Sequence, residues 1–61
     1  DWDGKLVTDS FTGDDKSSLV CFYGRPVING IEMKPRDYAK LENKTYDVRL
    51  NNAVLGVFTR L

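Results

Sequence analysis

A chain of 61 residues with one cysteine and no histidine has to hold itself together by packing alone. A single thiol closes no intrachain disulfide, and no Cys/His cluster with zinc spacing exists. Domains of this size bury only about 60% of the surface their unfolded chain exposes, so their margin of stability is thin. A tight apolar core or self-association is what remains to such a chain. Its 41% hydrophobic and 30% charged residues belong to a folded soluble domain rather than a disordered segment. No apolar run approaches the roughly 20 residues that span a bilayer. The expectation is a single small domain over residues 1–61, soluble and compatible with a reducing cytoplasm. The chain opens on Asp1 rather than on methionine, which is equally compatible with a processed, exported or excised form.

The clearest local pattern lies at the C-terminus. Residues Tyr46-Asp47-Val48-Arg49-Leu50 alternate with period two, as a half-buried strand does. Asn51-Asn52 follows, and Asn tolerates the left-handed conformations of a two-residue hairpin turn. Ala53 to Phe58 then returns almost wholly apolar. A hairpin about this turn places Leu50 opposite Ala53, Val48 opposite Leu55 and Tyr46 opposite Val57 on one apolar face. Its other face carries Thr45, Asp47, Arg49, Val54 and Phe58, with Arg60 beyond.

Elsewhere the chain reads as short strands. Asp1–Gly4 has the look of a frayed end, with Trp2 pinning it to the core, and Lys5–Phe11 that of a first strand. Thr12–Lys16 is a turn by composition. Leu19-Val20-Cys21-Phe22-Tyr23 is an unbroken β-branched and aromatic run, the signature of a buried strand. Asn29-Gly30 between apolar residues signals a short-armed hairpin. Pro35 to Asn43 is the one helical candidate: Pro suits a first helical position, Asp37 and Lys40/Lys44 complement the helix dipole, and Tyr38 and Leu41 share a face. The predicted fold is therefore mainly β, a small curled antiparallel sheet or barrel of four to five strands with one short helical turn near residues 35–43. It is SH3-like or OB-like in size, and closure would remove exposed edges.

The inventory leaves little for catalysis. Without histidine there is no Ser-His or Cys-His pair and no imidazole base. Cys21 lies inside an apolar run with no base beside it and reads as a small buried hydrophobe. Asp14-Asp15 is most simply a solvated turn. Asp1-Trp2-Asp3-Gly4 begins like a calcium loop, but position 10 is Ser where a bidentate Glu is needed. No metal or other cofactor is implied, and no catalytic residue is assigned. Asn43-Lys44-Thr45 fits the glycosylation sequon, which matters only outside the cell.

Net charge is zero but unevenly spread. Residues 1–16 carry five acids against two lysines, and residues 17–61 seven bases against four acids. The function this favours is a non-enzymatic protein-binding module, a small adaptor, inhibitor or accessory subunit acting by occlusion of a protein partner. Val54 and Phe58 would anchor in the partner, with Arg49 and Arg60 at the rim. The alternative is a single-stranded nucleic-acid-binding β-barrel that uses Tyr23, Arg25, Arg36, Tyr38, Lys40 and Lys44 for stacking and phosphate contacts. Zero net charge weakens that alternative, and Tyr23 and Tyr38 read more simply as core or half-buried. A homo-oligomeric structural or assembly component is the third reading, since a thin core and an apolar strand face both favour self-association.

Overall fold

The run Ser17–Tyr23 becomes a central strand because both of its edges find partners. In the computed structural model, which describes residues 1–61, it pairs antiparallel with Val54–Arg60 on one side and with Tyr38–Lys40 on the other. Numbered along the chain, the strands are β1 (Trp2–Leu6), β2 (Phe11–Thr12), β3 (Ser17–Tyr23), β4 (Val27–Ile28), β5 (Ile31–Glu32), β6 (Tyr38–Lys40), β7 (Thr45–Tyr46), β8 (Val48–Arg49) and β9 (Val54–Arg60). They form a four-stranded sheet in the order β1-β9-β3-β6, a two-stranded sheet β2-β7 and a three-stranded sheet β5-β4-β8, all antiparallel. The fold is all-β.

The core lies on one side of the large sheet. Leu19 and Cys21 of β3 and Leu55 of β9 point inward and are essentially inaccessible. Ile28 of β4, Met33, Leu41 and Tyr46 of β7 close over them, with Val7, Phe11, Val48, Leu50 and Val57 around the margin. Burying each such aliphatic side chain contributes about 1.5–3 kcal/mol. Tyr46 is buried by stacking on Phe11, with ring centroids 5.4 Å apart, and its hydroxyl oxygen accepts the Glu42 N–H at 2.8 Å. The two small sheets thus cover the inner face of β3 and β9 and leave the outer face of the large sheet open.

Two turns read from composition are present. Asn29 and Gly30 adopt φ of 50° and 80° and join β4 to β5 as a tight hairpin with Ile28 opposite Ile31. Asp14 organises the turn before β3: its Oδ1 accepts the Lys16 N–H at 2.8 Å and the Ser17 hydroxyl at 2.9 Å.

The C-terminal hairpin is corrected. Its turn forms, with Asn51 and Asn52 at φ of 50° and 63° and the Ala53 N–H donating to the Leu50 carbonyl at 2.8 Å. The flanking strands then part. A strand has two edges, and those of β9 are taken by the five-residue ladder with β1 and the longer one with β3. Residues 48–49 therefore pair with β4, and Tyr46 pairs with Phe11.

The helical turn near residues 35–43 is also corrected. Pro35-Arg36 sits at the centre of a β-turn in which the Asp37 N–H donates to the Lys34 carbonyl at 3.0 Å, and the Lys34 N–H donates to the Asp37 carboxylate at 2.9 Å. Arg36 adopts φ of 74°, which ends any helix and gives the type II signature of Pro followed by a left-handed residue. The Arg36 N–H and Asp37 carbonyl both bond to Cys21, a bulge that feeds the chain into β6.

The N-terminus differs from expectation as well. Residues 2–6, not 5–11, form the first strand, and Trp2 is exposed rather than pinned to the core. No barrel closes: nine short strands replace the expected four to five, and the large sheet keeps two outer edges, β1 and β6.

Candidate functional site

The outer face of the large sheet is apolar and uncovered. Strand alternation sets which residues reach it. Leu55, Val57 and Thr59 of β9 face inward, so Val54, Gly56, Phe58 and Arg60 face out. Across the ladders, Trp2 stands opposite Arg60, Gly4 opposite Phe58 and Leu6 opposite Gly56. On the other side Ser18 stands opposite Phe58 and Lys40, and Val20 opposite Gly56 and Tyr38. One row across the sheet is therefore Leu6, Gly56, Val20, Tyr38, and the next is Gly4, Phe58, Ser18, Lys40.

Glycines in these rows make room for rings. A β-carbon on Gly4 would stand 2.9 Å from Cε1 of Phe58, and one on Gly56 would stand 2.7 Å from Cε2 of Phe22. Phe58 thus lies across β1, and Phe22, projected by the bulge between Cys21 and Tyr23, lies across β9. The rings meet edge to face, with centroids 6.1 Å apart at 75°. Such pairing adds about 0.5–1.5 kcal/mol beyond burial. Phe22 itself remains 51% exposed, and around the pair Trp2, Leu6 and Tyr38 remain 62%, 70% and 78% exposed. Isolated exposed apolar residues are ordinary; a continuous set on one rigid sheet face has the character of a contact surface.

Three of the four residues expected to meet a protein partner, Val54, Phe58 and Arg60, share this face. Arg49 does not join them: it lies on β8, opposite Val27, in the three-stranded sheet. Of the residues expected for nucleic acid, Tyr38 and Lys40 lie on the same face, at its β6 edge. Tyr23, at the end of β3, and Tyr38 are both strongly exposed, against the expectation of burial. Arg25 makes an exposed ion pair with Glu32 at 3.7 Å. Lys44 lies 3.5 Å from Glu42 and 5.3 Å from the centre of the Tyr46 ring. Arg36 is held in its turn, so the basic residues do not converge on one groove.

Trp2, Leu6, Phe22 and the two glycines lie outside the residues that the sequence pattern singles out. The alternation in Trp2-Asp3-Gly4-Lys5-Leu6 is a usable signal, masked by starting the strand at Lys5. Phe22 was hidden in a run that reads as buried on both sides.

The inner side of β1 borders an open cleft of about 500 Å³ with a mixed lining that includes Asp3, Lys5, Asp14, Ser17, Val7 and Phe11. Its hydroxyls satisfy one another: Ser17 Oγ lies 2.8 Å from Thr59 Oγ1 and 2.9 Å from Asp14 Oδ1. No group of three or more carboxylates or thiols is arranged to hold a metal ion. The Cys21 thiol is buried and points at the carbonyls of Gly24 and Tyr23, at 3.5 and 3.7 Å. Desolvation pushes its pKa up, a backbone hydrogen bond at Tyr23 acts against this, and the Asp37 charge raises it further. A thiol so placed stays protonated at neutral pH and is a poor nucleophile. No helix is long and apolar enough to cross a membrane. Compared with known proteins, the chain matches no family model, no curated protein and no solved structure.

Proposed function

We propose that this chain is a non-enzymatic protein-binding module, a small adaptor, inhibitor or accessory subunit that occludes its partner with the outer face of the four-stranded sheet. The supporting observation is that face itself: Phe22 and Phe58 packed edge to face over glycines, ringed by exposed Trp2, Leu6, Tyr38 and Val54. Rigid aromatics lose little conformational entropy on binding and dominate contact energetics. Lys40 and Arg60 stand at the rim, where charge sets orientation more than affinity. Arg49 has no part in this surface.

The test is affinity capture from a source-cell lysate, split into nuclease-treated and untreated halves. The wild type is compared with the Phe22→Ser/Tyr38→Ser double variant, which alters exposed positions. The reading requires a protein that survives nuclease and is lost with the double variant. Capture unchanged by the double variant contradicts it.

Single-stranded nucleic acid is the second reading, favoured by one observation: Tyr38 and Lys40 stand on the same face as the Phe22–Phe58 pair. Stacking is sequence-tolerant and contributes about 1–3 kcal/mol per base. That reading requires affinity that falls with added salt and with Tyr38→Ala.

A further inference from the structure

The free edge of β1 is complementary to itself, and the geometry points to a twofold dimer in which β1 of one copy pairs antiparallel with β1 of another about Gly4. The inference concerns a different surface from the sheet face and stands whether or not that face binds a partner.

Backbone directions come first. The Val7 N–H donates to the Leu55 carbonyl and the Leu61 N–H to the Asp1 carbonyl, both at 2.9 Å. In the β1–β9 register these fix the odd residues Asp1, Asp3, Lys5 and Val7 as the ones whose peptide groups bond to β9. The N–H and C=O groups of Trp2, Gly4 and Leu6 therefore point outward, and no hydrogen bond within the chain uses them. An unpaired edge of this kind is a template for another strand. The opposite edge, β6, is only three residues long and offers fewer outward groups.

Side chains then select the partner and register. With Gly4 opposite Gly4 of a second copy, Trp2 stands opposite Leu6, and Asp3 opposite Lys5, in both directions. The outward-pointing residues meet one another, as hydrogen-bonded pairs must. The charged residues fall at the non-hydrogen-bonded positions, where side chains approach most closely and opposite charges attract. Sliding the register by two residues sets Asp3 against Asp3, beside two Asp1–Lys5 pairs, in one direction, and Lys5 against Lys5 with no opposite-charge pair in the other. Charges that usually guard an edge against pairing here favour one arrangement, the antiparallel one centred on Gly4 with a second copy of this chain, which has opposite-charge pairs and no like-charge pair.

The packing agrees. Trp2 and Leu6 reach the outer face and are more than half exposed, so each would cover the other across the seam. The Phe58 ring already leans over Gly4, at the twofold axis. The product is a continuous eight-stranded sheet with one shared apolar face, closed by an isologous contact. Five residues per strand make a small contact, so the association is reversible and concentration-dependent.

Sedimentation equilibrium over a wide concentration range tests this with charge swaps at exposed Asp3 and Lys5. The wild type should move from 6.9 kDa toward twice that mass. Asp3→Lys alone and Lys5→Asp alone should each weaken self-association by roughly tenfold. The combined Asp3→Lys/Lys5→Asp variant should restore it, and an equimolar mixture of the two single variants should form a mixed dimer. Hydrogen exchange at the Trp2, Gly4 and Leu6 amides should slow with concentration, while the Asp3 and Lys5 amides, already bonded to β9, should not change. A chain monomeric throughout overturns the inference. So does a dimer indifferent to the single swaps, or one that leaves the Trp2, Gly4 and Leu6 amides unprotected.

Discussion

The Phe58 ring occupies the space that a β-carbon on Gly4 would fill, with Cε1 2.9 Å from that point, so the aromatic of one strand is seated on the glycine of its neighbour. Gly56 stands to Phe22 in the same way, and the two rings meet edge to face. The relief of the outer sheet face is therefore made by glycines and the rings seated on them. Its shape depends on which strands are neighbours, since each glycine and the ring above it come from different strands.

Glycine substitutions should separate two kinds of crowding. At Gly4 the obstacle is the tip of a partly exposed ring, which can swing away, so Gly4→Ala should destabilise by no more than about 1 kcal/mol. At Gly24 a β-carbon would stand 2.8 Å from the Ala53 Cα, and φ is 81°. Two penalties then combine, and Gly24→Ala should destabilise by about 2–3 kcal/mol. Urea unfolding of the two variants checks the order.

Arg36 holds a left-handed conformation that glycine adopts without strain, and its amide is fixed by the Cys21 carbonyl at 2.8 Å. Arg36→Gly should keep the turn and raise stability by about 0.5–1 kcal/mol, read as an increase in urea midpoint at unchanged slope.

Leu55 is wholly buried between the small sheets and β3. Leu55→Ala should destabilise by about 2–5 kcal/mol, a large fraction of what so small a core supplies. The expected result is an unfolded or molten chain by circular dichroism and proton spectra. Tyr38→Ser, at an exposed position, should stay within about 0.5 kcal/mol of wild type.

Cys21 links stability to alkaline pH. Its pKa in the folded chain is raised, chiefly by burial, so the folded state holds the thiol proton more tightly than the unfolded state does. The resulting stability is complete below the unfolded thiol's pKa and is lost as pH rises through the raised value. The stability difference between wild type and Cys21→Ala should change in that direction between neutral and alkaline buffer. At neutral pH the native thiol should react with a disulfide reagent only as fast as the chain opens.

The sequence made local geometry legible and long-range pairing much less so. Asn29-Gly30 and Asn51-Asn52 announce their turns because few other residues accept a positive φ. Leu19 and Cys21 announce a strand because their type and spacing suit one. Nothing local says that β9 pairs along both edges with β1 and β3, so the local pattern sets Arg49 beside Val54 and Phe58 in a hairpin whose arms in fact separate. Pro35 and Asp37 serve equally as a helix start and as a turn closed by a carboxylate, and the deciding feature is the backbone of Arg36. Half the site was readable, since Val54, Phe58 and Arg60 share a face by period two alone. Trp2 and Leu6 join it only through the β1–β9 register, and Phe22 through a bulge.

The most direct test of the outer face as a binding surface is photocrosslinking in the source cells with p-benzoylphenylalanine at two positions. Tyr38→p-benzoylphenylalanine puts the probe on the outer face, and Ile31→p-benzoylphenylalanine puts it at an equally exposed site in the other layer. A discrete adduct with a different protein from position 38, absent from position 31, is the predicted result. No protein adduct from position 38, or the same adducts from both positions, would contradict the account.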